Sequence, residues 1–130
     1  MKIAVATRDW LHVSGHAGQT RAWLVFDLAE HRVGATLPTP SRVELAKDEV
    51  FHHFTDDRPH PLDGVEIVVA GSAGDGFLGH MKARGAEVLL TGETDPAAAI
   101  GAILAGEALP DPRFDVTTTL CRLRDLFSRY

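Results

Sequence analysis

The stretch Val65-Glu66-Ile67-Val68-Val69-Ala70-Gly71-Ser72-Ala73-Gly74-Asp75-Gly76-Phe77 decides how this chain folds. Residues 65–69 include four β-branched apolar side chains and run into a small-residue loop and then a helix-like pattern. A buried parallel strand entering a βα turn reads this way. Gly71, Gly74 and Gly76 admit backbone conformations closed to other residues, and Asp75 is placed to cap the helix that follows. Free N–H groups at such a helix start can face an anion. Taken alone, the loop reads at least as well as a tight βα turn with no ligand.

Upstream, residues 2–7 alternate weakly and stop at Arg8-Asp9, which predicts a short first strand. Residues 8–20, with His12, Ser14, Gly15, His16, Gly18, Gln19 and Thr20, are too polar for a core element and longer than a hairpin turn, so they read as a functional loop. A second strand spans 21–29 around Trp23, Val25 and Phe26, and a polar connection, Glu30-His31-Arg32, leads to a third at 33–37 that Pro38 and Pro40 stop or bend. Between 46 and 54, Val50, Phe51 and Phe54 share one side of a helical wheel, predicting a short amphipathic helix with His52 opposite the stripe and exposed and His53 on its flank. A turn-rich segment at 55–63 holds His60 between two prolines.

Downstream, Phe77, Leu78 and Met81 mark the inner face of a helix at 76–84 that Gly85 ends, and residues 86–91 form the next strand. Thr94-Asp95-Pro96 supplies an N-cap and a first-turn proline for a small-residue helix at 96–105, stopped by Gly106. Residues 109–112 read as a linker. Beyond it, Leu120, Leu123, Phe127 and Tyr130 share a stripe, so residues 117–129 are expected to form an amphipathic helix that docks on its own sheet or on a second subunit as a homodimer. The domain is expected over 1–108, with linker and terminal helix over 109–130.

The resulting order is an antiparallel meander followed by two parallel βα units, an α/β domain of three layers. Right-handed crossovers place the mixed five-stranded sheet in the order 3-2-1-4-5. The first strand then connects away to one side and the strand at 65–69 to the other, so the loops 8–20 and 71–76 frame the crevice where open α/β sheets bind ligands. His12 and His16 should face the glycine loop.

Composition narrows the function. The chain has 130 residues, 45% hydrophobic and 24% charged, which is ordinary for one soluble domain with a real core. No apolar run approaches the roughly 20 residues of a membrane helix, and no signal-peptide pattern follows Met1-Lys2, so a cytoplasmic protein without membrane contact is expected. With net charge −5 and scattered basic residues, the footprint of a nucleic-acid binder is missing. A single cysteine, Cys121, excludes an internal disulfide and a self-contained thiolate site, so metal would need histidine, carboxylate, backbone or a second chain. Cys121 reads either as a free surface thiol or as a cluster ligand on the tail. An enzyme is not expected. The first strand carries no acidic residue for a metal-dependent nuclease, the glycine loop fits neither nucleotide-binding pattern, and no nucleophile–base pair is visible. His31 and His80 read as surface positions, and His52 and His53, neighbours in sequence, diverge by about 100° around a helix, so at most one of them can join a given site.

Lys2-Ile3-Ala4-Val5-Ala6, then Ser14-Gly15-His16-Ala17-Gly18-Gln19-Thr20 before an aromatic strand, then Gly71-Ser72-Ala73-Gly74 and Thr91-Gly92-Glu93-Thr94-Asp95-Pro96, resemble in this order the dinitrogenase iron–molybdenum cofactor biosynthesis family, which includes NifX- and NafY-like carriers and the C-terminal domain of NifB. The resemblance covers about residues 1–108. It implies a ribonuclease-H-like fold without nuclease activity and the binding, storage or transfer of iron–sulfur or iron–molybdenum cofactor precursors, held transiently. Partners implied are cofactor-biosynthesis proteins or apo-nitrogenase, as donor or acceptor. The family's early-loop histidine maps onto His16, although Ala17 stands where many members have phenylalanine. The expected site is therefore His16 with His12 and the loop Gly71, Ser72, Ala73, Gly74, Asp75 and Gly76. His52, His60 and Cys121 join His16 as metal-ligand candidates. The other reading is a regulatory or protein-interaction module of the same fold that binds no metal.

Overall fold

A computed structural model of the chain describes residues 1–29, 31 and 35–112. Strand β1 (Lys2–Thr7) lies at the centre of a five-stranded sheet. It pairs antiparallel with β2 (Ala22–Asp27), placing Val5 beside Leu24, and parallel with β4 (Ile67–Ala70), placing Val5 beside Val69. The edges are β3 (Ser41–Glu44), antiparallel to β2, and β5 (Glu87–Leu90), parallel to β4. The order is 3-2-1-4-5, as the crossover rule predicts. Helix α1 (Asp75–Arg84) connects β4 to β5, and α2 (Pro96–Leu104) follows β5.

The alternation of β1 sorts the core by size. Ala4 and Ala6 face one side, where their small side chains leave room for Trp23, Phe51, Phe54, Phe77 and Met81. Ile3 and Val5 face the other side and meet Leu24, Phe26 and Val69 under Ala99 and Ile100 of the slimmer α2. Strand and helix thus divide the available volume, which close packing requires. The ends of α2 follow from local chemistry: the Asp95 carboxylate accepts from Ala97 N at 3.0 Å, and Pro96 occupies the first turn, where an N–H would be unpaired. Helix α1 ends on Gly85 at φ 74°, a conformation that suits glycine.

Three expectations need correction. The third strand of the sheet is Ser41–Glu44, beyond both prolines, and the described part of the expected segment, residues 35–37, is not strand. Residues 35–40 run irregularly, with Leu37 packed on the α2 side, so the apolar segment contributes a core contact while a short charged strand takes the edge. Residues 33 and 34 lie outside the described residues. The segment 46–54 is a chain of turns, not a helix. His52 N donates to Gly18 O at 2.7 Å instead of to the carbonyl four residues back, which interrupts the helical ladder, yet Val50, Phe51 and Phe54 are still buried on one side. Asp75 does not cap α1: Gly74 is the N-cap, without a side-chain bond, and Asp75 is the first helical residue. The tail expected as a helix at 117–129, with Cys121, lies outside the described residues. No helix among the described residues is long and apolar enough to cross a membrane.

Candidate functional site

Strands β1, β4 and β5 run parallel, so their C-terminal ends open on one edge of the sheet, and a cleft of about 430 Å³ lies there. Its walls are Arg8, Asp9, His12, Val13, Ser14, Gly15 and His16 after β1, Gly71 and Ser72 after β4, and residues 91–94 after β5. This is the switch-point crevice that the strand order requires.

The long loop after β1 is clamped to both neighbours. Ser14 N donates to Ala6 O at 2.8 Å, Gly71 N to Ser14 O at 2.8 Å, Ala17 N to Ser72 O at 3.0 Å and Val13 N to Thr94 O at 2.9 Å. Close approach explains two glycines: a Cβ on Gly15 would stand 2.7 Å from Ser72 Oγ, and one on Gly71 would stand 3.4 Å from Gly15 N. His16 follows in a left-handed conformation, φ 54°, ψ 53°, uncommon for a residue with a side chain. Its N–H donates to Ser72 Oγ at 2.8 Å, and its side chain is exposed at the cleft wall. A second cavity of about 360 Å³, bounded by Trp10, Gln19, Arg21 and Glu44, shares Arg8, Gly15 and His16 with the first. His16 and Arg8 therefore stand between two recesses.

At the start of the loop, Asp9 gathers four donors, of which Thr7 Oγ1 is the most distant, 3.4 Å from Oδ1. Its Oδ1 accepts from Leu11 N at 2.9 Å and His12 N at 2.8 Å, and its Oδ2 lies 2.6 Å from His12 Nδ1. The bond to the His12 ring, followed by the two backbone bonds, holds the Asp9 carboxyl well below the usual carboxylate range. On the opposite wall, Glu93 folds back to accept from Thr94 N at 2.9 Å, and buried Thr91 donates its hydroxyl to Pro110 O at 2.7 Å. Among the described residues, the buried Ser14 Oγ has no protein partner.

The expected site residues divide. His12, His16, Gly71 and Ser72 line the cleft, whereas Ala73, Gly74, Asp75 and Gly76 lie outside its lining. Gly71 N–H is committed to Ser14 O and so is not free to face an anion. His52 and His53 are exposed on the turn segment, away from either recess, with rings 4.8 Å apart. His60 is buried, 4% exposed, stacked on Phe51 at 4.3 Å, with Nε2 2.7 Å from Glu49 O and Nδ1 accepting from Leu62 N. Both its nitrogens are engaged in the core. His80, expected at the surface, is half-buried, its Nδ1 2.8 Å from Asp56 Oδ2. Within the expected loop 8–20, Arg8 and Asp9 line the cleft beside the histidines, and residues 91–94 join it from outside the two expected loops. The parallel strand at 86–91 was the signal for the last group, since its C-terminal loop opens on the same edge. Among the described residues, no three His, Cys, Asp or Glu side chains are placed to hold a metal ion together.

The model of the dinitrogenase iron–molybdenum cofactor family matches residues 1–106. The chain belongs to that family. Membership ties it to the iron–molybdenum cofactor of dinitrogenase. Among curated proteins none matches significantly. Among solved structures, PH0822 is similar at 22% identity and TM-score 0.62, over 85% of this chain and 96% of that one. A candidate NifB protein from Thermotoga (TM1290), of the DUF35 family, is similar at 18% identity and TM-score 0.55, over 88% and 96%. The apo form of the orange protein from Desulfovibrio gigas is similar at 17% identity and TM-score 0.56, over 82% and 88%. At these identities the three structures support the α/β fold.

Proposed function

We propose that the cleft receives an anionic iron–sulfur-type precursor of the iron–molybdenum cofactor, holds it through His16 and passes it on without chemistry of its own. The observation that carries this reading is His16 itself: a left-handed residue tied by its amide to Ser72 Oγ, its imidazole exposed on the wall of the cleft in a member of this family. A cluster held by one or two imidazoles and a few hydrogen bonds can be released again, which suits a carrier more than a resident prosthetic group. The donor and acceptor are cofactor-biosynthesis proteins or apo-nitrogenase.

The test is anaerobic reconstitution with ferrous iron, sulfide and molybdate, followed by metal analysis and ultraviolet-visible spectroscopy. Wild type should take up a cluster, and His16→Ala should lose about tenfold or more in affinity, about 1.4 kcal/mol. Equal binding by both proteins, or none by the folded wild type, would overturn the reading. A second reading, a protein-docking module that binds no metal, draws on Leu11, 66% exposed on the loop that carries His12. Under that reading Leu11→Ser weakens partner binding and no cluster is taken up.

A further inference from the structure

We propose that Asp9 is a positioning residue that presents Nε2 of His12 as a second nitrogen ligand to the cargo; the inference rests on the reading of the cleft given above. Asp9 and His12 are three residues apart, and both line the cleft that His16 also lines. The carboxylate is held from two sides. Oδ1 is fixed by Leu11 N and His12 N, so Oδ2 is left to face His12 Nδ1 at 2.6 Å. An ionised carboxylate only accepts hydrogen bonds, so the proton in that contact sits on Nδ1. In the neutral imidazole, Nε2 then carries the lone pair. Histidines that bind metals are commonly oriented this way, the far nitrogen donating to a carboxylate that fixes the tautomer and raises ligand basicity.

Local geometry keeps the pair in place. The loop turns at Trp10, φ 66°, whose N–H donates to Thr7 Oγ1 at 3.0 Å, and Val13 is pinned on the other side to Thr94 O. His12 is thus bracketed by two anchored residues although its side chain is 62% exposed. Held by two imidazoles from one loop, the cargo would be restrained in orientation and still leave by breaking two bonds.

Asp9→Asn separates a positional role from a merely structural one. The asparagine oxygen keeps the two backbone donors at the Oδ1 position, because the reverse orientation would aim an amide N–H₂ at both of them. The amide nitrogen then faces His12 Nδ1 as a donor, which moves the ring proton to Nε2 and blocks ligation. The shape of the loop is kept while the tautomer inverts.

The test uses the full chain with ¹⁵N-labelled histidine. Imidazole NMR of the free protein at neutral pH should show His12 protonated on Nδ1 in wild type and on Nε2 in Asp9→Asn. After anaerobic reconstitution with ferrous iron and sulfide, the reduced cluster should carry two ¹⁵N hyperfine couplings in wild type and one in Asp9→Asn and His12→Ala. Each single variant should bind about tenfold more weakly, and the double variant no more weakly than either. An Nε2–H tautomer in wild type, or two couplings with full affinity in both variants, would overturn the proposal. Cluster uptake lost in His16→Ala but kept in the Asp9 and His12 variants removes this inference alone, whereas no uptake by wild type removes the reading of the cleft along with it.

Discussion

His60 is a polar side chain set in an aromatic core, and its hydrogen bonds fix its protonation. Leu62 N–H donates to Nδ1, so the single ring proton of the neutral form sits on Nε2 and points to Glu49 O. A second proton would set two donors face to face and place a charge between Phe51 and Phe54. Burial, helped by the Arg84 and Arg58 charges, accordingly pushes the pKa below its ordinary 6.5. The sign follows: as pH falls, the unfolded chain takes up this proton first, so the stability His60 supplies is complete above 6.5 and is lost below it. Between about pH 7.5 and about pH 5.5, the urea midpoint of wild type should fall more than that of His60→Phe; equal falls would discharge His60 from the role. His60→Ala should cost about 1–3 kcal/mol for leaving Leu62 N–H and Glu49 C=O unpaired, measured by urea denaturation at neutral pH. Gly15 makes a contrasting case, where the constraint is space. Gly15→Ala sets a Cβ 2.7 Å from Ser72 Oγ and should destabilise by about 1–3 kcal/mol. Ser72→Ala removes that oxygen and leaves a Cβ contact of 3.7 Å, so the double variant should be no less stable than Ser72→Ala alone. A purely additive cycle would show that the loops do not meet as described. Residues of this kind set the limit on reading the site from sequence. His12 and His16 stood out as polar residues in a long loop after the first strand. Asp9 did not, because its significance lies in four donors that only the folded loop gathers.

At the scale of elements, strand order was legible and element boundaries were less so. β-Branched runs marked β1 and β4, and the handedness of parallel crossovers leaves few orders for such a chain, so the 3-2-1-4-5 sheet and the switch-point cleft follow together. Reading apolar content as strand failed at residues 35–37, because an edge strand needs little burial: Ser41–Glu44 holds its place through backbone pairing with β2 and carries Arg42 and Glu44. Reading an apolar stripe as helix failed at 46–54 for a related reason. The stripe predicts which side chains are buried, whereas helix also needs an unbroken ladder, and the bond from His52 N to Gly18 O lies outside any local pattern. The segment behaves as a plug held by its side chains. Phe51 meets Phe54, Phe77, His60 and His80, so Phe51→Ala should cost about 3–5 kcal/mol, read as a lower urea midpoint with unchanged slope. A loss below about 1 kcal/mol would mean that the segment is a cover dispensable to the core.

At the scale of the whole molecule, electrostatics and the proposed cargo pull in opposite directions. The chain carries a net charge of −5, and the first recess holds two carboxylates, Asp9 and Glu93, against one guanidinium, Arg8. An anionic cluster approaching such a protein meets long-range repulsion, which salt screens as the Debye length shrinks from about 30 Å at 0.01 M to about 8 Å at 0.15 M. Arg8 acts over a shorter range. It borders both recesses beside His16, so a cluster seated there lies within a Debye length at either salt concentration. The two contributions therefore separate in a stopped-flow experiment that follows cluster uptake. On the proposed function, wild-type uptake should speed up several-fold between about 0.01 M and about 0.15 M salt, the reverse of a steered encounter. Arg8→Gln should slow uptake by a similar factor at both concentrations, because it removes a local attraction and leaves most of the surrounding field intact. If raising the salt slows wild-type uptake instead, the cargo is not anionic as it arrives. If Arg8→Gln matches wild type at both concentrations, the cluster is seated away from the wall that the two recesses share.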